Sequence, residues 1–338
     1  MDSNTTADYN TAVGYNALTA NTTGTNNTAV GGEAAISNTT GSSNVAVGGE
    51  ALDANTGGSK NTAVGTQALY TATTVSNQTA IGYYALRVNT TGGENTAVGY
   101  IALQDNTTGN RNTACGIFAL ENNTTGNDNT GLGRNTLAAN TTGSHNTAVG
   151  RDALSANNAD HNVAVGYGAL DTNTTGTRNH AFGNNALYAN TTGSQGVSIG
   201  YNSLRYNTTG NDNTAVGNYA LQANTSGTKN VGVGCSALTA NTTAQKNTAI
   251  GYHALADNTT GHRNTAAGTD ALLNNTTGAY NAAFGQDSMG LNTTGVNNTG
   301  VGRGVGYTNT TGSNNTAVGM NALYYLSLIH ISEPTRPY

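Results

Sequence analysis

The 338-residue chain contains no tryptophan, 2 prolines, 3 phenylalanines and 2 cysteines, and only 9% of its residues are charged. Ordinary soluble domains carry about 25% charged residues, so the shortage excludes an enzyme of the usual two-domain kind. The 12 Lys and Arg are scattered singly along the chain against 17 Asp and Glu, giving a net charge of -5. That leaves no basic stretch for phosphates, and nucleic acid is not an expected partner. No run of about 18 apolar residues occurs, so no membrane span is expected. Cys115 and Cys235 are seven repeats apart, roughly 33 Å if each repeat is one layer of a stacked sheet, and they are not expected to pair.

What fills the chain instead is one sentence written nineteen times. "NTAVGYNALTANTTGTN" occupies residues 10–26, and the next copy starts at Asn27. Gln78 and Gly196 stand in for the leading Asn in two copies. All copies are 17 residues apart except at the step from Asn146 to Asn162, where one residue is lost within "NNADH". That loss falls where turn residues cluster, and turns tolerate deletions. A regular repeat with recurring Val, Ile and Leu is a folded array rather than disordered low-complexity sequence.

Read by column, the repeat separates into parts. Four residues after the leading Asn stands an invariant Gly, as at Gly14, Gly31, Gly48, Gly65 and Gly150. Such invariance requires positive φ or the close approach of another segment. The residue before it is apolar, as at Val13, Val30, Val47, Val64, Val98 and Val149, and this column is assigned to the core. Leu18, Leu52, Leu69 and Leu103 form a second core column. With period-2 geometry, "TAVG" reads as a short strand covered on both faces, its small Ala12/Gly14 side open to a neighbouring chain. "NTTG" reads as a turn, with its Gly in a left-handed conformation. One Val and one Leu per coil cannot offset the ordering of seventeen residues, so the coils must stack. The fold expected is all-β: a parallel β-solenoid of about nineteen coils spanning 1–325. A competing strand-plus-helix solenoid would make a helical turn of "GYNALTAN".

Both termini break the pattern. Met1 begins mid-coil, so any signal peptide is expected to lie upstream. Residues 326–338, "LSLIHISEPTRPY", carry no repeat character and are read as an artefact of sequence assembly.

Chemistry is sparse. Acidic residues occupy variable columns with no pair set for acid–base work, and no catalytic or cofactor-binding residue is assigned. His145 and His161 share a column in adjacent coils, but two imidazoles make an incomplete metal site. The calcium-binding nonapeptide pattern is absent, and no metal is expected. Tyr15, Tyr83, Tyr100, Tyr167, Tyr201 and Tyr252 share the column after the invariant Gly, a candidate surface for stacking on sugars. Asn21, Asn38, Asn106 and Asn140 head N-x-Thr sequons and are candidate glycosylation sites.

"NTAVGYNAL" with "NTTG" resembles the repeats of bacterial and phage-derived tail-fibre-like proteins, and "TAVG" is similar to the strand of trimeric autotransporter adhesin heads. The resemblance covers residues 4 to about 325. It implies a left-handed β-roll, a homotrimer, an extracellular place on a cell or virion surface, and a host surface, matrix or glycan as ligand. Adhesin heads use shorter coils, so the 17-residue period departs from that pattern. Two alternatives stand beside an adhesive fibre segment. One is an ice-binding solenoid using the Thr11 or Thr22/Thr23 ladder, for which His180 and the turn location argue against activity. The other is an N-glycosylated filament.

Overall fold

A computed structural model describes residue 3 and residues 5–325. The tail assigned above to 326–338 lies outside the described residues, as does Met1. The chain forms two compact units, Met1–Thr192 and Gly193–Tyr338. The first carries eleven strands, from β1 (Thr11–Val13) to β11 (His180–Phe182), and the second eight, from β12 (Val197–Ile199) to β19 (Thr316–Val318). No helix occurs among the described residues: "GYNALTAN" folds as turns. Each unit is a parallel β-solenoid in which one repeat makes one coil.

Register is strict. Thr11 pairs with Thr28, Ala12 with Ala29 and Val13 with Val30. The short coil keeps it, pairing Val163 with Thr147 and Val165 with Val149, so the missing residue is absorbed in the turn. The disturbance appears in a side chain. Asn157 Nδ2 donates to Ala159 O at 2.8 Å instead of reaching back to Asn140, whose buried Oδ1 has no partner.

A three-residue strand has one inward position, and Ala holds it. Ala29, Ala63, Ala97 and Ala148 are fully buried, and the leucines of the Leu column from Leu18 to Leu272 and the small residue preceding each of them are buried as well. The interior is so thin that the two walls trade volume. Where the strand carries Gly131, the facing position is Thr136, and a Cβ added to Gly131 would lie 2.8 Å from Thr136 Oγ1. Gly300 is matched by Val305, and Ser198 by Ser203, their hydroxyls hydrogen-bonded. Close packing leaves no room for a methyl on both sides to become anything larger.

The Val column is therefore a correction. Val13, Val30, Val47, Val64, Val98 and Val149 flank the inward Ala and point out of the coil. Val13 and Val30 are exposed and the other four half-buried. Alternation along the strand permits Ala or its neighbours inside, not both, and the space opposite is already filled by Leu. The Ala12 side, expected to be open to another chain, is the interior of its own coil. Leu18, Leu52, Leu69 and Leu103 are buried as expected.

Both physical explanations of the invariant Gly hold together. Its φ is +135° at Gly14, +118° at Gly150 and similar in all nineteen copies, a region open essentially to Gly alone. A Cβ at Gly14 would also lie 2.3 Å from Gly31 O in the next coil. The Gly of NTTG, by contrast, has no positive φ. It is Gly for lack of space, since a Cβ at Gly41 would meet Gly58 O at 2.3 Å and Asn38 Oδ1 at 2.4 Å. Left-handed backbone falls instead on three non-Gly columns, at Asn16 (54°), Leu18 (54°) and Asn26 (58°) and their equivalents. Each disfavoured conformation costs about 1–2 kcal/mol and is held by bonds between coils: Leu52 N–H donates to Ala68 O (3.0 Å), Glu33 N–H to Tyr15 O (2.7 Å) and Ser43 N–H to Thr25 O (2.9 Å).

Two ladders of buried Asn close the coil. In the leading column, Asn27 N–H donates to Asn10 Oδ1 at 2.8 Å while Asn27 Nδ2 donates to Gly41 O at 2.8 Å. In the NTT column, Asn38 Nδ2 donates to Asn21 Oδ1 at 2.9 Å and also to Gly41 O at 3.0 Å. The Gly carbonyl thus accepts both amides. Gln78 fits the leading ladder despite its extra methylene, with its N–H on Asn61 Oδ1 at 3.0 Å and Nε2 on Gly92 O at 3.0 Å.

Two outcomes follow for stability. Gly150→Ala should lower the melting temperature sharply, because a Cβ there lies 2.7 Å from Gly166 O, whereas Gly49→Ala, with no atom within 4 Å of its Cβ, should melt like the parent in a circular dichroism scan. In urea denaturation, Leu103→Ala should lose about 2–5 kcal/mol and Val98→Ala less than about 1 kcal/mol; equal losses would return the Val column to the core.

Candidate functional site

With the interior closed, whatever the protein contacts must meet its columns of outward side chains. The outer face of each sheet is formed by the Thr11 and Val13 columns. No Asp, Glu, Lys or Arg occupies either column. Large apolar groups stand exposed along it, among them Ile81 (39%) and Leu132 (39%) in the first unit and Ile250 (48%) and Phe284 (43%) in the second. Cys115 lies in the same strip, and both it and Cys235 are free and exposed thiols.

The tyrosines expected at the surface are there: Tyr15, Tyr83, Tyr100, Tyr167, Tyr201 and Tyr252 are all exposed. Their ring faces are less available than the sequence suggests. Tyr83 stacks on Tyr84 with centroids 3.7 Å apart and on Tyr100 at 5.5 Å, with planes 9° apart, and Phe118 meets Tyr100 edge-on at 5.6 Å. Arg151 covers Tyr167 at 4.8 Å, and His253 stacks on Tyr252 at 3.7 Å. Coil stacking brings rings of one column within reach of each other, so the faces a sugar would use are largely spent on neighbours.

The glycosylation candidates are corrected. Asn21, Asn38, Asn106 and Asn140 are fully buried. Asn106 Nδ2, the atom a glycan would occupy, donates to Asn89 Oδ1 at 2.7 Å and Gly109 O at 3.0 Å. A sugar on that nitrogen and this coil are mutually exclusive.

The columns of ionisable groups show what stacking does to singly scattered charges. Arg111 and Asp128, one coil apart, form a two-pronged pair at 2.7 and 3.0 Å, and the guanidinium holds the Asp128 carboxyl below its ordinary pKa. His145 lies 3.7 Å from the same carboxylate and stacks on His161 at 4.8 Å. Among the described residues no group of three or more His, Cys, Asp and Glu could hold a metal ion. Elsewhere carboxyls are pushed up: Asp171 by burial, opposed in part by a hydrogen bond from Ser155, and Asp53 by burial and then by Glu50 and Glu33. Such shifts in isolated carboxyls do not converge on one reacting centre. These neighbour relations were visible in the sequence only by listing charged residues modulo 17, a step that the apparent scatter of charge discourages.

Protein-family models and curated proteins were both searched and neither gives a match, so no residue role is inherited from a relative.

A raised carboxyl pKa means that the folded state resists ionisation, so ionised Asp171 opposes folding above its folded pKa and this opposition fades as pH falls toward the ordinary value of 3.8. Asp171→Asn should therefore raise the melting temperature at pH 7, with the gain shrinking steadily on acidification to pH 4; a gain that grows with acid would reverse the assignment.

Proposed function

We propose that the protein is a non-enzymatic structural segment of an extracellular fibre, which associates with copies of itself and presents repeated side chains. The observation that carries this reading is the uncharged outer sheet strip. Water-facing sheet edges and faces of soluble monomers are normally interrupted by charge, whereas here the two columns carry Val, Ile, Leu, Phe, Ala, Thr and Cys with a single His180, and no Asp, Glu, Lys or Arg. Depletion of charge with retention of apolar side chains is the composition of an interface centre. A second copy has the same columns at the same pitch and meets the strip in register. Three copies, left-handed coils and a surface or virion location are what the likeness to adhesin heads and tail fibres adds to this reading.

Ice binding is the second reading, favoured by one observation: Thr62, Thr79, Thr96, Thr113, Thr130 and Thr147 follow one another on the outer sheet strip. The Thr22 ladder is weaker ground, because its hydroxyls are engaged along the coil stack, as Thr107 Oγ1 is with Thr124 O at 2.9 Å.

Light scattering on the full chain at micromolar concentration should give a homo-oligomer, and the double variant Val98→Lys/Val149→Lys should be monomeric with an unchanged circular dichroism spectrum. A monomeric parent protein would overturn self-association. Thermal hysteresis in the parent, lost in Thr96→Lys/Thr130→Lys, would replace the fibre reading by the icy one.

A further inference from the structure

The second unit contains a feature that the linear sequence conceals. Lys229, Lys246 and Arg263 are 17 residues apart and occupy the exposed left-handed column in three successive coils, with φ of 59°, 61° and 56°. Their backbones are fixed by bonds to the preceding coil: Lys229 N–H to Asn211 O (3.0 Å), Lys246 N–H to Thr228 O (3.0 Å) and Arg263 N–H to Gln245 O (3.1 Å). At strand spacing the three cations span about 10 Å. In the first unit the same column carries Glu94, Arg111 and Asp128 in successive coils, with Arg111 paired to Asp128. Here three like charges follow one another after Asp212, and among the described residues no ion pair engages any of them.

Like charges held side by side without a partner raise the local potential and favour an anion in their midst. The surroundings are shaped for one. A groove of about 290 Å³ runs between two turns, lined by Thr243, Gln245 and Thr260 together with Lys246, His262 and Arg263. It lies at the turn of the second unit in which NTTG becomes "NTTA". The Ala244 methyl stands where the stack normally tolerates only hydrogen, and the Asn241 Nδ2 bond to Ala244 O is 3.3 Å against 2.9 Å for Asn258 to Gly261 O in the next coil. Arg263 is preorganised: its Nη1 donates to Tyr280 Oη at 2.7 Å and its guanidinium lies 5.3 Å from the Tyr280 ring centroid, leaving other N–H groups for an acceptor.

We propose that this ladder and groove bind an acidic polysaccharide, the cations meeting its carboxylate or sulfate groups and Thr243, Gln245 and Thr260 its hydroxyls. Nucleic acid fits less well. The Tyr280 ring is already contacted by Arg263 and, at a T-shaped angle, by His262, whose centroid is 5.4 Å away, which makes it a poor platform for a base, and the net charge of -5 opposes a long polyphosphate. The site stands on a single chain and does not depend on the self-association proposed above.

The test is binding of the full chain to polygalacturonate, dextran sulfate, neutral dextran and a short DNA duplex, measured by biolayer interferometry beside the variant Lys229→Gln/Lys246→Gln/Arg263→Gln. Gln195 already occupies this column at φ 59°, so the variant should melt like the parent. The expected result is binding to one or both acidic polysaccharides, weakened at least tenfold in the variant and about tenfold or more between 50 and 200 mM salt; the better of the two identifies the anionic group. Equal binding to neutral dextran, undiminished binding by the variant, tighter binding of the DNA duplex through the same residues, or no binding to either acidic polymer would each overturn the proposal. Light scattering on the same samples reads the oligomer separately, so loss of one property is not mistaken for loss of the other.

Discussion

The carbonyl of the NTTG glycine is the point on which each coil closes. It is buried, and in a coil as thin as this an unsatisfied carbonyl would cost as much as a core side chain contributes. Two Asn amides, one from the start of the coil and one from its turn, satisfy it, as Asn27 and Asn38 do at Gly41, and each Asn then spends its oxygen on a neighbouring coil. The bond that closes one coil therefore also joins it to the next. Where the ladder is interrupted the chemistry compensates: Asn55, followed by Ala72 in its column, turns its Oδ1 to accept from Gly58 N–H at 3.1 Å.

Closing the coil this tightly fixes most of what remains. The backbone must reverse direction repeatedly within seventeen residues, which places glycine at φ near +135° and forces Leu, Asn and other L-residues into left-handed conformations. The strain is tolerated because the same bond recurs at every level of the stack, so no coil can relax without losing partners on both sides. Only small groups fit between strand and Leu column, and the pairs Gly131/Thr136 and Ser198/Ser203 match volume or polarity across it, while Gly232 faces an ordinary Ala237.

Because the inside admits so little variation, variation is driven outward, and the columns that carry it do different things. The sheet strip excludes charge. The column after the invariant Gly gathers aromatic rings that pack on one another, and the left-handed column beside the turn gathers ions. Stacking converts a separation of 17 residues into contact, so charges that look isolated become pairs, as Arg111 with Asp128, or ladders, as Lys229, Lys246 and Arg263. A solenoid built this way can change its surface at one column without disturbing the bonds that hold it.

The sequence by itself determined the solenoid, its coil length, the in-register stacking and the buried Leu column, since a period of 17 with an invariant Gly admits little else. It also placed the deletion before Asn162 in a turn. It did not decide which strand residues point inward. Thr-Ala-Val is compatible with either alternation, and only the space left by Leu chose Ala, turning Val13 and its equivalents outward. Nor did it locate the left-handed residues or bury the sequon asparagines, because Leu and Asn are not marked for those roles in isolation and acquire them from carbonyls supplied by neighbouring coils. The candidate tyrosines were legible as exposed, but the loss of their faces to stacking was not. The basic ladder was the least legible feature, because its members are neighbours through the stack and distant along the chain.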